Sequence, residues 1–212
     1  MQGPLIISRL YAIADAEILA VRGVALADFA GDLRAAGVGL VQYRDKTGSP
    51  QEVLRAAAIL REAMAGSACR LIMNDRADLA VLANFDGVHV GQDDLSPDDA
   101  RRIVGPDRIV GVSTHTYEQV RLADQSCTDY IAIGPIFVTR TKRKPDPVVG
   151  LEGVRRARAL TRKPLVAIGG LTRANARSVT DAGANSIAII SALFADGQTV
   201  DHIARDFLAR LR

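Results

Sequence analysis

Eight times along this chain a short, continuously apolar run gives way to an alanine-rich amphipathic segment. The runs fall at residues 10–14, 38–43, 70–73, 87–90, 109–112, 130–133, 165–168 and 186–190. Helical patterns follow them at 25–36, 50–65, 77–82, 97–104, 117–123, 151–160, 172–182 and 201–211. A strand that is apolar at every position has to be covered on both faces, the situation of a parallel strand under helices. Eight such units predict an α/β fold, a single-domain (β/α)8 barrel, with residues 1–212 forming one domain. A doubly wound open sheet is the competing arrangement, but the first run is followed by no G-x-G-x-x-G phosphate loop. Polar residues also gather at the exits of most runs instead of at one switch point.

Helix punctuation agrees with this register. Ser49-Pro50, Ser96-Pro97 and Thr116 are suited to N-caps, and Gly37 and Gly183 follow helical patterns as stops. No linker or low-complexity stretch divides the chain. The longest irregular connection, 135–150, carries Thr, Lys, Arg and Pro and reads as a loop able to close over a ligand.

Composition narrows the function classes. With 48% hydrophobic and 24% charged residues the chain is of the ordinary soluble globular type. Its 27 basic and 24 acidic residues are interspersed, and the only dense basic run, 140–144, has no aromatics among it, so a nucleic-acid partner is not expected. Cys69 and Cys127 form neither a CxxC pair nor a zinc pattern and read as small buried hydrophobes of a reduced protein. Residues 1–9 are too short and mixed for a signal peptide, and no apolar stretch approaches the ~18 residues of a membrane span, so a cytoplasmic protein is expected.

The exits of the runs carry the chemistry. After the second comes Gln42-Tyr43-Arg44-Asp45-Lys46, with Gln42, Arg44 and Lys46 at every second position; cations so placed call for an anion, because burying them unpaired is very unfavourable. Asn74-Asp75 and Asp94 follow the third and fourth runs. Two neighbouring carboxylates suit Mg²⁺, which takes one or two protein oxygens and completes its shell with water and substrate phosphate; an acid/base pair is the alternative. Arg44, Lys46 and Lys142 add the positive charge to hold a diphosphate. Lys46 alone is also compatible with a Schiff-base lysine. Gly169-Gly170 after the seventh run and Ile190-Ser191 after the eighth suggest a second anion site, where barrels bind phosphate on backbone N–H groups, and Thr139 and Thr141 supply hydroxyls from the long loop. His115 stands at an exit as either a structural or a proton-transfer group, whereas His89 and His202 read as structural.

Taken together, Gln42-Tyr43-Arg44-Asp45-Lys46, Asn74-Asp75-Arg76, Asp86-Gly87-Val88-His89-Val90-Gly91-Gln92 with Asp94, Gly111-Val112-Ser113-Thr114-His115-Thr116, Gly134-Pro135-Ile136-Phe137 with Thr139, Thr141 and Lys142, and Ala167-Ile168-Gly169-Gly170 closely resemble the thiamine-phosphate synthase family. The likeness runs in order from residue 10 to 194. It implies a Mg²⁺-dependent transferase that joins 4-amino-2-methyl-5-hydroxymethylpyrimidine diphosphate to a thiazole phosphate, giving thiamine phosphate and diphosphate by a dissociative substitution. By the family pattern Gln42, Arg44, Lys46, Asn74, Ser113 and Lys142 hold the pyrimidine diphosphate, with Tyr43 and Asp45 on the same segment. Asp75 and Asp94 bind Mg²⁺, and Thr139, Arg140, Thr141, Gly170, Ile190 and Ser191 take the thiazole phosphate. Arg44, Lys46, Lys142 and Ser113 are the expected catalytic groups. Val138 departs from the family's usual proline, and the run Arg143-Lys144-Pro145-Asp146-Pro147 is unusual, which bears on loop closure. A thiazole tautomerase shares the barrel and phosphate end but generally lacks the full diphosphate and metal set; a silent precursor-binding regulator would bind both ligands without releasing diphosphate.

Overall fold

In the computed structural model, which describes residues 5–139 and 146–212, each apolar run is a strand. These are β1 (Leu10–Asp15), β2 (Leu40–Arg44), β3 (Arg70–Asn74), β4 (Gly87–Val90), β5 (Ile109–Thr114), β6 (Tyr130–Ile133), β7 (Leu165–Ile168) and β8 (Ser186–Ile189). All pair in parallel in chain order, and β8 pairs back onto β1 to close the barrel. Closure leaves no unpaired edge.

Alternation along the strands sorts the core into two layers. Tyr11, Ile13, Leu40, Ile72, Ile109, Tyr130, Ala132, Val166 and Ala188 cluster together inside the barrel. Their chain neighbours, among them Leu10, Ala12, Val41, Tyr43, Leu71, Met73 and Ile131, pack outward beneath the helices. Both layers are buried, which is why the runs are continuously apolar; each buried Leu or Ile contributes roughly 1.5–3 kcal/mol. The same parity puts Asp15, Gln42, Arg44, Asn74, His89 and Ser113 on the inner face.

The surrounding helices are α1 (Ala16–Arg22), α2 (Leu26–Ala36), α3 (Pro50–Ala63), α4 (Ala77–Leu82), α5 (Pro97–Val104), α6 (Tyr117–Gln125), α7 (Gly150–Leu160), α8 (Ala176–Asp181) and α9 (Val200–Arg210). Caps expected from the sequence are formed. Ser49 and Glu52 make a reciprocal capping box on α3, Ser96 accepts from the Asp99 N–H, and Thr116 and Gln119 form a second box on α6. Gly37 ends α2 at φ 78°, a left-handed conformation that favours glycine.

Three local expectations are corrected. Two helices, not one, join β1 to β2: α1 is capped by Asp15 and stopped by left-handed Gly23, and it buries only Leu19, too little to leave a periodic signature. The 172–182 pattern is helical only from Ala176, because Asn175 Oδ1 accepts from the Thr172 N–H at 2.7 Å and holds the preceding residues in a turn. Cys127 is exposed instead of buried, with its Sγ 3.3 Å from the Pro97 carbonyl, and Cys69 is half-buried; burial pushes the Cys69 thiol up to about 12, so it stays an unreactive thiol. Among the described residues no helix is long and apolar enough to cross a membrane.

Candidate active site

At the C-terminal ends of β2, β3 and β4 the expected charged groups come together. Lys46 Nζ bonds the Asp75 carboxylate, and the Asp75 and Asp94 carboxyls are close enough to shift each other's protonation. Asp75 takes φ 61°, an uncommon left-handed conformation for a non-glycine residue and one that concentrates at functional positions. Its backbone N–H is held by the His89 carbonyl at 2.7 Å. Burial, followed by the neighbouring Asp94, pushes the Asp75 carboxyl above the usual carboxylate range. Burial works the same way on Asp94, but the hydrogen bonds from Asp75 and from the Gly91 N–H outweigh it and hold Asp94 below that range.

Two carboxyls pressed together are a site that a cation relieves. Their hard oxygen donors fit Mg²⁺. No cluster of three or more His, Cys, Asp or Glu side chains able to hold a metal occurs among the described residues, so a metal at this pair keeps most of its shell for water and ligand phosphate, as Mg²⁺ does and structural zinc does not. Beside the pair, Asn74 Nδ2 is buried without a hydrogen-bond partner. A buried amide left open is uncommon in native proteins and marks a place where a ligand oxygen fits.

Arg44 reaches the same face from β2 and is ion-paired with Asp15, its register partner on β1. Asp15 is 3% exposed and uses both oxygens: Oδ1 accepts from the Ile18 N–H at 3.0 Å to cap α1, and Oδ2 fixes the Arg44 guanidinium. The sequence reading missed Asp15. The available signal was its parity with Tyr11 and Ile13, which continues the inner face one step past the apolar run.

Tyr43 and Asp45 sit on the opposite parity from Gln42 and Arg44. Tyr43 packs in the outer layer, and burial, followed by the charge of Asp45, raises its phenol. Asp45 organises the turn after β2, accepting from the Thr47 N–H at 3.0 Å, the Gly48 N–H at 2.7 Å and the Tyr43 hydroxyl at 3.3 Å. In the described structure these two support the basic segment from behind. Gln42 is buried inside the barrel, bonded to the Tyr11 hydroxyl, and Ser113 Oγ bonds His89. Gln92 donates to the Ser113 carbonyl at 2.6 Å, tying the β4 exit to β5.

His115 is accounted for structurally. Its Nδ1 lies 2.6 Å from the Gly134 carbonyl, which can only accept, so Nδ1 carries the proton. The same nitrogen is 3.6 Å from an Asp146 oxygen, where the long loop returns.

At the other side of the mouth, the segment after β6 packs against the β7 exit through Ile136 N–H to Ile168 and Phe137 N–H to Gly169 carbonyl bonds. Gly170 is at φ 67° with the Val138 carbonyl oxygen 2.6 Å from where a Cβ would stand, so only glycine fits. Ile190 packs on the inner cluster and Ser191 opens a short 3-10 turn, Ser191–Leu193. Thr139, Gly170, Ile190 and Ser191 are thus on the β6 to β8 side. Arg140, Thr141 and Lys142 lie outside the described residues.

A family model described as TMP-TENI, thiamine monophosphate synthase, matches residues 10–193. The chain belongs to the thiamine monophosphate synthase family. Membership places it among the transferases of thiamine biosynthesis. A thiamine-phosphate synthase of Koribacter versatilis is 54% identical over 92% of this chain and 93% of its own length. One from Shouchella clausii is 40% identical over 88% of each. Among solved structures, thiamine phosphate pyrophosphorylase from Pyrococcus furiosus superposes with a TM-score of 0.85 at 28% identity, covering 96% of this chain and 95% of that one. The synthase-family barrel expected from the motifs is therefore the fold observed.

Proposed function

We propose that this family member condenses 4-amino-2-methyl-5-hydroxymethylpyrimidine diphosphate with a thiazole phosphate, forming thiamine phosphate and releasing diphosphate, as a cytoplasmic enzyme. The observation that carries the reading is the convergence of Arg44, Lys46, Asn74, Asp75 and Asp94 on one inner rim. It combines fixed cations, an open amide donor and a paired-carboxylate cation site, as a diphosphate requires.

The reaction asks the protein for charge neutralisation and alignment more than for a base. In a dissociative substitution the C–O bond to diphosphate breaks first, and the thiazole nitrogen then captures the pyrimidinylmethyl cation. Arg44, held from behind by Asp15, and Lys46 neutralise charge building on the leaving group. Asp75 and Asp94 would hold Mg²⁺, which when bound supplies further neutralisation of that diphosphate. The open Asn74 amide would donate to a diphosphate oxygen. Gln42 and Ser113 face the pyrimidine. Thr139, Gly170, Ile190 and Ser191, with Arg140 and Thr141, would seat the thiazole phosphate and bring its nitrogen to the cation, where proximity supplies several kcal/mol. Lys142 would add a third cation at the diphosphate.

Diphosphate release measured with the pyrimidine diphosphate, thiazole phosphate and Mg²⁺, each omitted in turn, tests the reading. Release that needs all three and yields thiamine phosphate is expected. Binding of both substrates without release would overturn it in favour of a regulator, and isomerisation of a thiazole precursor instead would favour a tautomerase.

A further inference from the structure

A chain of side-chain hydrogen bonds crosses the barrel interior beneath the site. Gln42 Nε2 on β2 donates to the Tyr11 hydroxyl on β1 at 2.8 Å. Tyr11 and Tyr130 hydroxyls are 2.9 Å apart. The Tyr130 hydroxyl, from β6, is 2.8 Å from His89 Nδ1 on β4, and His89 Nε2 is 2.8 Å from Ser113 Oγ on β5. All but the Ser113 end are buried, and His89 stacks on the Tyr130 ring with centroids 5.5 Å apart. The two ends, Gln42 and Ser113, lie on non-adjacent strands at the pyrimidine side of the mouth.

Hydrogen-bond stoichiometry ties the direction of every link to the Gln42 amide. With the Gln42 amide nitrogen donating to Tyr11, the one Tyr11 proton has only the Tyr130 oxygen to receive it. The Tyr130 proton then goes to His89 Nδ1. A neutral His89 therefore carries its proton on Nε2 and donates it to Ser113 Oγ. Ser113 is left with its own O–H to give to a ligand, while Gln42 keeps its carbonyl oxygen outside the chain. Reversing the Tyr11, Tyr130 and His89 links while Gln42 stays put would strand the buried Tyr11 proton without an acceptor, which buried polar groups rarely tolerate. Turning the Gln42 amide over reverses every link at once. The two ends are therefore coupled through the barrel.

We propose that Tyr11, Tyr130 and His89 are positioning residues that set the Gln42 carbonyl as an acceptor and the Ser113 hydroxyl as a donor on the binding face of the pyrimidine site. This rests on the function proposed above only for the identity of the ligand; the coupling of the two ends is a property of the fold. Its chemical match is a heteroaromatic ring that offers one N–H donor and one ring-nitrogen acceptor. His89 is buried and bonded at both ring nitrogens, to the Tyr130 hydroxyl and to Ser113 Oγ, so the ring is held in one tautomer.

The first test is ¹⁵N NMR of the histidine-labelled, ligand-free protein at neutral pH. The His89 signals are expected in the Nε2–H form; an Nδ1–H form would overturn the proposal whatever the protein's activity. The second uses Tyr130→Phe, which removes one oxygen and keeps the ring, with Tyr11→Phe as the substitute should that variant not fold. Loss of the hydroxyl is expected to lower kcat/KM for the pyrimidine substrate by roughly tenfold, the scale of one buried hydrogen bond. Combining it with Ser113→Ala should lower kcat/KM no further than Ser113→Ala alone, because both act through the same hydroxyl. Losses that multiply, or an unaffected Tyr130→Phe enzyme, would overturn the positioning role. A wild-type protein that makes no thiamine phosphate would sink the functional reading while leaving the NMR result to decide the polarity.

Discussion

Asp75 shows how one residue gathers several constraints. It is left-handed without being glycine, bonded to a lysine, and pressed against a second carboxyl. Asp75→Asn should lower Mg²⁺-dependent turnover by roughly a hundredfold or more, with Mn²⁺ binding lost in parallel by electron paramagnetic resonance; a nearly normal rate would sink the metal assignment. Asp15 acts one step further from the ligand. Asparagine caps a helix about as well as aspartate, so Asp15→Asn keeps α1 and removes only the charge facing Arg44. A rise of roughly tenfold in KM for the pyrimidine diphosphate, with a smaller change in kcat, is expected from a loosened guanidinium. Asp15→Ala should cost about 1 kcal/mol of stability in addition, read from urea denaturation, because the cap is lost as well. These contacts were only partly legible. Arg44, Lys46 and Asp75 announce themselves as charges at strand exits, whereas the role of Asp15 depends on which residue β1 presents beside β2.

Among the elements, the strand exits were the most readable and the connections the least. Capping boxes at Ser49 and Thr116 are local chemistry, fixed by residues three apart, and they appear where the sequence puts them. The helix α1 was hidden because only Leu19 of its residues is buried, and a helix with one buried position has no stripe. The β7 exit depends on a neighbour that sequence does not specify: Gly170 is required by its φ of 67° and by the Val138 carbonyl against it. Gly170→Ala should destabilise the protein by about 1–3 kcal/mol through backbone strain and displacement of the 135–138 segment, and it should raise KM for the thiazole phosphate more than for the pyrimidine substrate. Equal effects on both substrates would show that the glycine serves the fold alone.

At the scale of the whole molecule, the sealed interior of the barrel ties stability to pH. An unfolded histidine has a pKa of about 6.5, and buried His89 is held down at about 4. Below pH 6.5 the unfolded chain therefore gains a proton that the native barrel refuses, and stability falls as the pH drops from 6.5 towards 4. Above 6.5 the group contributes no slope. The loss reaches up to roughly 3 kcal/mol. Since the chain has no Trp, circular dichroism in urea at pH 7 and pH 4.5 is the suitable measurement, with His89→Gln as the reference. The wild type should lose more stability than the variant across that window; parallel curves would show that His89 is not the group responsible.

The sequence by itself determined the number of strands, the parallel α/β class and the order of the motifs, because continuous apolar runs demand cover on both faces and caps act within one turn. It also identified the family, since the motif residues are contiguous. Only the tertiary structure decided which side chains meet. Arg44 and Asp15 are 29 residues apart, His89 and Ser113 are 24 apart, and the Tyr11 and Tyr130 hydroxyls join across 119 residues. Such pairs arise from strand register and barrel closure, which bring one side chain per strand to a common depth. A hydrogen bond depends on tenths of an ångström at that depth, and no periodicity along the chain encodes it.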